Sequence, residues 1–133
     1  MQRNQVADLA YKHGTHGPGY LSRGPFCDLG VILLRPGDDY LNHYHAYSEN
    51  SFFILEGEVT LWSDCRERFT LRPGDFHRCD PLEMHYFRNE GETDWRAFFV
   101  RVPYDPSDTI VVPWTPGDPP PPKPTPPAPE ARS

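Results

Sequence analysis

The stretch "GDDYLNHYHAYSEN", residues 37–50, places His43 and His45 on either side of one tyrosine and follows them with Glu49 and Asn50. In a β-strand, side chains at i and i+2 point to the same face, so both imidazoles would project together while the tyrosine between them points away. Two imidazoles close to a carboxylate are typical of a site for a borderline divalent metal ion. The stretch therefore predicts a metal site whose remaining ligand comes from elsewhere in the chain.

Short β-like runs separated by turn-forming residues surround this stretch. Seven candidate strands are 30–35, 52–62, 67–72, 75–79, 84–89, 94–102 and 109–112. No amphipathic run of helical length is present, and turns recur about every 8–12 residues, which predicts an all-β sandwich or barrel. Two turns share the sequence RPGD, at Arg35–Asp38 and Arg72–Asp75. Each precedes a histidine-bearing run, and His85 in "MHYFRN" is the candidate third imidazole.

The length of 133 residues suits one domain with an apolar core. We expect an N-terminal extension over residues 1–19 with a short helix near 4–11, and a barrel over 20–112. About half of the residues in 113–133 are prolines, so this segment is expected to be a disordered tail of polyproline II character. Its PxxP spacing also fits a ligand of an SH3-like or WW-like domain, although a spacer role is the commoner one.

Composition narrows the classes of partner and location. The 13 basic and 19 acidic residues give a net charge of -6, and no basic cluster suggests nucleic acid as a partner. The N-terminus lacks the pattern of a signal peptide, and no stretch approaches the roughly 20 apolar residues of a membrane span. Three widely spaced cysteines, Cys27, Cys65 and Cys79, fit reduced thiols, and we expect a cytoplasmic protein that does not bind membranes.

The order and spacing of these residues resemble the two motifs of the cupin superfamily. In the first motif, G-x5-H-x-H-x3or4-E-x6-G, this chain has Gly37, His43 and His45, and it closes at Gly57. The second motif ends in a histidine and an asparagine, which match His85 and Asn89 after Gly74. The resemblance covers roughly residues 30–102 and implies a double-stranded β-helix, or jelly-roll, barrel with a metal at its centre.

Two departures from the family pattern affect the expected site. Pro81 is one position late and Leu82 stands where the family often has glycine, so the turn before His85 should be reshaped. Counting six positions back from Gly57 puts the motif's glutamate at Asn50, whereas Glu49 would need a one-residue bulge to point inwards. We expect Glu49 to be the fourth ligand, with Asn50 as the alternative, because a carboxylate near a divalent ion stabilises it more than an amide does.

The resemblance also implies a cofactor and a type of activity. Fe(II) is the expected ion, with Mn, Ni, Co, Cu or Zn as alternatives, and the barrel would hold a small-molecule substrate near His77, Tyr40 and Arg96. A dioxygenase is the leading interpretation, and a metal-dependent isomerase or lyase is the second. A non-catalytic ligand-binding module and a scaffold for the proline-rich tail are the other hypotheses. Cupin barrels commonly pair through edge strands, so a homodimer is expected.

Overall fold

The computed structural model describes residues 1–127, and its regular structure is almost entirely β. A single 3-10 turn at Val6–Asp8 precedes ten strands: β1 Gly17–Arg23, β2 Asp28–Leu34, β3 Asp39–Tyr44, β4 Glu49–Glu56, β5 Val59–Ser63, β6 Glu67–Leu71, β7 Phe76–Cys79, β8 His85–Arg88, β9 Trp95–Val102 and β10 Ile110–Val111. Within this described part, no helix is long and apolar enough to cross a membrane.

The strands form two five-stranded sheets. Their orders are β1-β2-β9-β4-β7 and β10-β3-β8-β5-β6, and the recorded pairings are antiparallel. Strands distant in sequence therefore become neighbours, since β9 lies between β2 and β4. This architecture confirms the expected all-β, double-stranded β-helix barrel.

Alternation along the strands separates the barrel interior from its outer surface. Trp95, Ala97, Phe99 and Arg101 of β9 are buried, and the residues between them are half-buried. Most of the inward residues form one apolar core: Ile32, Leu34, Phe52, Ile54, Val59, Leu61, Leu71, Cys79, Phe87, Trp95, Ala97 and Phe99. Arg101 breaks this apolar series at the end of β9, so the interior becomes polar at one end of the barrel.

Register places a row of polar residues across that end. In the first sheet, Asp28 pairs with Arg101, and Arg101 pairs with Asn50. In the second sheet, His43 pairs with His85. Directly paired residues of antiparallel strands project to the same face, so this register gathers the polar side chains around one opening.

The two RPGD turns have the same local structure. The backbone N–H of Arg35 donates to the Asp38 carboxylate at 2.9 Å, and that of Arg72 donates to Asp75 at 2.8 Å. The reshaped turn before β8 is also present, because Leu82 has a φ of 73°, in the left-handed region that favours glycine.

Three expected boundaries require correction. β1 begins at Gly17, inside the expected extension, and only Val6–Asp8 is helical because the run is too short to bury an apolar face. The packed chain also continues past residue 112, since Trp114 is 8% exposed and packs against Trp62 and Tyr86. Residues 119–127 have no helix or strand, and the expected disorder of 128–133 concerns a segment outside the described residues.

Candidate metal centre

Three histidines converge inside the polar end of the barrel. His43 lies on β3, His45 follows that strand directly and His85 begins β8. Each is at most 5% exposed, and their ligand atoms all lie within 4.8 Å of one another. The tyrosine between the first two, Tyr44, packs instead against the apolar cluster around Trp62 and Trp114 on the outer face of the sheet. The structure thus brings together the three imidazoles on which the sequence prediction rests.

Backbone carbonyls orient all three rings through the same nitrogen. Nδ1 of His43 lies 2.9 Å from the Leu41 carbonyl oxygen, Nδ1 of His45 lies 2.5 Å from that of Asp108, and Nδ1 of His85 lies 3.1 Å from that of Glu83. A carbonyl can only accept, so each Nδ1 carries the proton and each Nε2 has a free lone pair. Nε2 of His45 and of His85 is buried without a hydrogen-bond partner.

Electrostatics keeps these imidazoles neutral. Burial, followed by the neighbouring His45, lowers the pKa of His43 to about 3. Burial likewise lowers the pKa of His45, although the bond to Asp108 opposes the shift. The pKa of His85 falls well below its ordinary value because the ring is buried beside His43 and His45. Neutral imidazole is the form that binds metals.

Asp108 fixes the position of His45 from outside the cluster. Its carboxylate accepts backbone N–H bonds from Ala46, Tyr47 and Ser48 at 2.7–2.9 Å, while its own carbonyl accepts from the His45 ring. Burial raises the pKa of Asp108, but these backbone bonds outweigh that effect and hold the pKa below its ordinary value. No sequence motif indicated this residue, because it lies 63 positions from His45.

The fourth ligand position separates Glu49 from Asn50. The Glu49 side chain is 41% exposed and lies 4.0 Å from Arg78, outside the histidine cluster. Asn50 is 8% exposed and lines the same cavity as His43, and its Oδ1 is buried without a partner. The register shift in β4 falls between Ile54 and Glu56, so no bulge turns Glu49 inwards. This geometry contradicts the expectation that Glu49 ligates and favours the Asn50 alternative.

A cavity of about 380 Å³ opens next to the histidines, a volume within the usual range for small-molecule sites. Its apolar lining includes Ile32, Phe52, Phe87 and Phe99, and its polar lining includes Lys12, Tyr20, Arg23, Asp28, Tyr40, His43, His45, Asn50, Arg101 and Thr109. The N-terminal segment therefore contributes to the wall, through Ala10 and Lys12, and not merely to an extension.

Of the three expected pocket residues, only Tyr40 lines this cavity. Its ring meets that of His43 edge-on, with centroids 5.4 Å apart. Arg96 points outwards on β9 and pairs with Glu56. His77 pairs with Glu83 at 3.1 Å instead of facing the cavity. These two placements correct the prediction, and both follow from β-strand faces that a sequence without a fixed register does not specify.

Arg101 is the main cavity residue that sequence reasoning missed. It is buried, it lies 3.4 Å from the Asp28 carboxylate, and its Nε has no partner. One signal was available, since Arg101 continues the i, i+2 series of Trp95, Ala97 and Phe99 along β9.

The donor set fits a divalent metal ion. Three convergent imidazoles with free Nε2 lone pairs, two of them buried without partners, satisfy the chemistry that such an ion requires. The amide oxygen of Asn50 adds a neutral donor at the same cavity. The fold and this site together define a small β-barrel with a histidine triad that fits a divalent metal ion.

A cupin domain model matches residues 30–101, and the chain therefore belongs to the cupin family. Among curated relatives, it is 35% identical to the polyketide synthase CurC of Streptomyces cyaneus over 83 residues, which is 62% of this chain and 53% of that protein. It is 40% identical to quercetin 2,3-dioxygenase of Bacillus subtilis (strain 168) over 52 residues, covering 39% of this chain and 15% of that enzyme. The chain thus spans about half the length of the first relative and less of the second.

Solved structures agree on the fold. An uncharacterized protein with a double-stranded beta-helix domain from Klebsiella pneumoniae matches with a TM-score of 0.74 and 16% identity, over 84% of this chain and 96% of that one. The DMSP lyase DddQ of Ruegeria pomeroyi matches with a TM-score of 0.64 and 18% identity, over 83% and 59%. At these identities, the likeness concerns the fold alone.

Proposed function

We propose that this chain is a metal-dependent enzyme that acts on a small organic molecule in the barrel cavity, with Fe(II)-type dioxygenation as its reaction. The observation that carries the proposal is the convergence of three neutral, pre-oriented imidazoles beside a ligand-sized cavity. The similarity to quercetin 2,3-dioxygenase supports the choice of reaction, although it covers 39% of this chain.

The residues of the chain have separable roles in this proposal. A redox-active divalent ion supplies electron transfer to dioxygen and Lewis-acid polarisation of an organic oxygen. His43, His45 and His85 hold the ion, and their Nδ1 bonds to carbonyls keep the rings from turning. The apolar wall that contains Phe52 and Phe99 excludes water from the reacting atoms.

Two tyrosines can donate hydrogen bonds to a bound substrate. Burial raises the pKa of Tyr20 and, against the opposing charge of Arg101, that of Tyr40. Both hydroxyls therefore stay protonated near neutral pH and can donate hydrogen bonds to an oxygen in the cavity. Nζ of Lys12 lies 3.5 Å from the Tyr40 hydroxyl and adds a positive charge on the same side.

The lining indicates the kind of substrate. Phenylalanine rings suit an aromatic or other planar body, and Lys12, Arg23 and Arg101 together exceed the single negative charge of Asp28. Arg101 also keeps a buried N–H without a partner. We therefore infer a small aromatic molecule with an acidic oxygen, either a carboxylate or a phenolate.

Oxygen consumption by iron-loaded protein tests the proposal. We expect near-stoichiometric Fe(II) binding and substrate-dependent uptake of dioxygen with aromatic acids or polyphenols, including quercetin. His85→Ala should abolish both, whereas Arg96→Met on the outer surface should leave both unchanged. Failure of the wild-type chain to bind a divalent metal would refute every enzymatic version of the proposal.

A metal-dependent isomerase or lyase is the second candidate. Tyr40 beside His43 favours it, because its hydroxyl can donate a hydrogen bond to the oxygen of a polarised carbonyl in the cavity. Conversion of a carbonyl substrate by zinc-loaded protein, without oxygen uptake by the iron form, would select this candidate. The cytoplasmic location, the homodimer and an SH3-like or WW-like partner of the tail remain predictions.

A further inference from the structure

A second group of metal-ligand side chains lies beside the histidine cluster, on β7 and the turn that leads to β8. His77 and Cys79 occupy alternate positions of β7, and Glu83 belongs to the turn. The ligand atoms of these three residues all lie within 4.8 Å of one another. None of the three lines the cavity described above.

The electrostatic surroundings of this group favour a cation. Cys79 is 1% exposed, and burial, together with the carboxylates of Glu83, Asp80 and Asp64, raises the pKa of its thiol well above the ordinary value. The three carboxylates attract a divalent ion by the same charge interaction that disfavours a thiolate, whereas burial, the larger cause of the pKa shift, disfavours any uncompensated charge. Arg78 offsets the negative charge only at the outer edge of this region, where its guanidinium pairs with the Asp80 carboxylate at 2.8 Å.

We propose that His77, Cys79 and Glu83 form a second metal site, suited to Zn²⁺ and separate from the site of His43, His45 and His85. Imidazole nitrogen, thiolate sulfur and carboxylate oxygen are the three donors that zinc uses in proteins. Donor atoms around tetrahedral zinc lie about 3.3–3.8 Å apart. His77 Nε2 and Glu83 Oε2 are 3.1 Å apart, slightly closer than zinc ligands are. All three ligand atoms lie within 4.8 Å of one another, so small side-chain movements would bring them to zinc-ligand distances.

Zinc binding at this group requires only proton transfers. The Cys79 thiol loses its proton to solvent when sulfur coordinates. The Nε2 proton that His77 shares with Glu83 is replaced by the metal bond, and the ring then carries its proton on Nδ1. Water completes four-coordination, and no electron transfer takes place.

The metal-free group is stable as a hydrogen-bonded network. The Glu83 carboxylate accepts bonds from Ser63 Oγ at 3.0 Å and from the backbone N–H of Asp80 at 3.1 Å, besides its contact with His77. Removal of zinc should therefore loosen this region without unfolding the barrel.

The turn at 80–83 connects the second site to the first. The backbone N–H of Leu82 donates to the His45 carbonyl at 2.7 Å, and the Glu83 carbonyl accepts from the His85 ring at 3.1 Å. Zinc on the Glu83 side chain would therefore hold two ligands of the first site in place. This coupling rests on the proposed metal function of the first site, whereas the second site does not.

Cobalt(II) titration of the full chain tests the second site, because a thiolate ligand gives a sulfur-to-cobalt charge-transfer band in the near ultraviolet. The first site contains no sulfur, so a band that disappears when Cys79 is replaced reports on the second site. We expect two equivalents of bound cobalt and this band in the wild-type protein. Cys79→Ser should lose the band and one equivalent, while Cys27→Ser, a matched thiol outside both groups, should keep both.

Two further variants keep the test decisive. His77→Gln alters a half-buried surface position, so it should fold and still lose one equivalent together with most of the band. His45→Ala should keep the band while losing the other equivalent. A folded wild-type protein without the charge-transfer band would overturn the second site. Presence of the band without a second equivalent would instead count against the proposed function of the first site.

Discussion

Asn50 and Glu49 are consecutive residues of β4 with different surroundings. Antiparallel pairing sets Asn50 opposite Arg101 and Cys79, whose side chains are buried, whereas Glu49 is opposite Val102. Because successive side chains of a strand point to opposite faces, the Asn50 amide enters the cavity and the Glu49 carboxylate points towards Arg78. The three imidazoles and the amide that meet at this end of the barrel are all uncharged.

Alanine at Asn50 should weaken metal binding, whereas alanine at Glu49 should leave it unchanged. Glu49→Ala should retain the wild-type metal content, because its side chain lies outside the histidine cluster. Asn50→Ala should weaken metal affinity by about tenfold, the usual lower limit for loss of a supporting polar group. Metal analysis after dialysis measures both variants. Loss of metal from Glu49→Ala alone would contradict this assignment.

Asp108 should support metal binding as well as folding. Asp108→Ala removes the acceptor of three backbone N–H groups next to His45, and we expect metal affinity to fall by about 10–100-fold. Asp75→Ala is the matched control, since its carboxylate accepts a backbone N–H in a turn on another part of the barrel. Titration with Co²⁺ and thermal unfolding separate the two effects. Equal affinities in the two variants would count against this role for Asp108.

The connection between β4 and β5 depends on one glycine. Gly57 has a φ of 71°, and a Cβ at this position would lie 2.2 Å from the Asp94 carbonyl oxygen. That oxygen belongs to the backbone next to β9, so the clash cannot be relieved by turning a side chain. The close approach of these two segments explains why the motif ends in glycine here.

Alanine substitutions at Gly37 and Gly57 should distinguish the stability cost of backbone strain from that of a steric clash. Gly37 has a φ of 87° but open space around its Cβ position, so Gly37→Ala should cost about 1 kcal/mol. Gly57→Ala should exceed that loss by at least about 1 kcal/mol, because a steric overlap is added to the strain. Denaturant unfolding gives both values. Equal losses would show that the segment near Asp94 moves aside.

The chain after β10 packs on the barrel at Trp114 and keeps a hydrogen bond to it as far as Pro121, whose carbonyl accepts from Arg66 at 2.9 Å. This side chain packs on Trp62 and Tyr86, and its indole N–H donates to the Asp118 carbonyl at 3.0 Å. Val112, two residues before Trp114, is also bound to the barrel, since its carbonyl accepts a hydrogen bond from Asn42 Nδ2 at 3.0 Å. The outer face of the second sheet is thus covered by the start of the proline-rich segment.

Trp114→Ala should destabilise the whole barrel without affecting the metal centre. We expect a loss of about 3 kcal/mol, as for other buried tryptophans, with unchanged metal content because the ring lies on the outer face of the sheet. Removal of residues 119–133 is the control and should change stability by about 0.5 kcal/mol or less, since most of the described residues there are exposed. Thermal and chemical unfolding test both changes. A neutral Trp114→Ala would contradict this packing.

Local sequence was sufficient for most strands and for the three histidines, although the single expected run 52–62 is divided at Gly57 into β4 and β5. The alternation of β9, the RPGD turns and the i, i+2 spacing of His43 and His45 act within a few residues, so each can be interpreted without knowing the partners. β1 was missed because "GPGYLSR" contains two glycines and a proline, which indicate a loop. Trp114 was assigned to a tail because its neighbours are prolines.

Strand register and long-range contacts decided the rest of the site. Whether Glu49 or Asn50 faces the cavity beside the histidines depends on the residue with which β4 pairs, and a shift of one position would reverse the answer. The roles of Asp108 and Arg101 depend on contacts with His45 and Asp28, which are 63 and 73 positions away, respectively. The sequence by itself therefore determined which residue types could act as ligands. The tertiary structure decided which of them point into the barrel and which residues hold them in place. The physical reason is that hydrogen bonds between strands distant in sequence set the strand register, and register decides which side chains lie together inside the barrel.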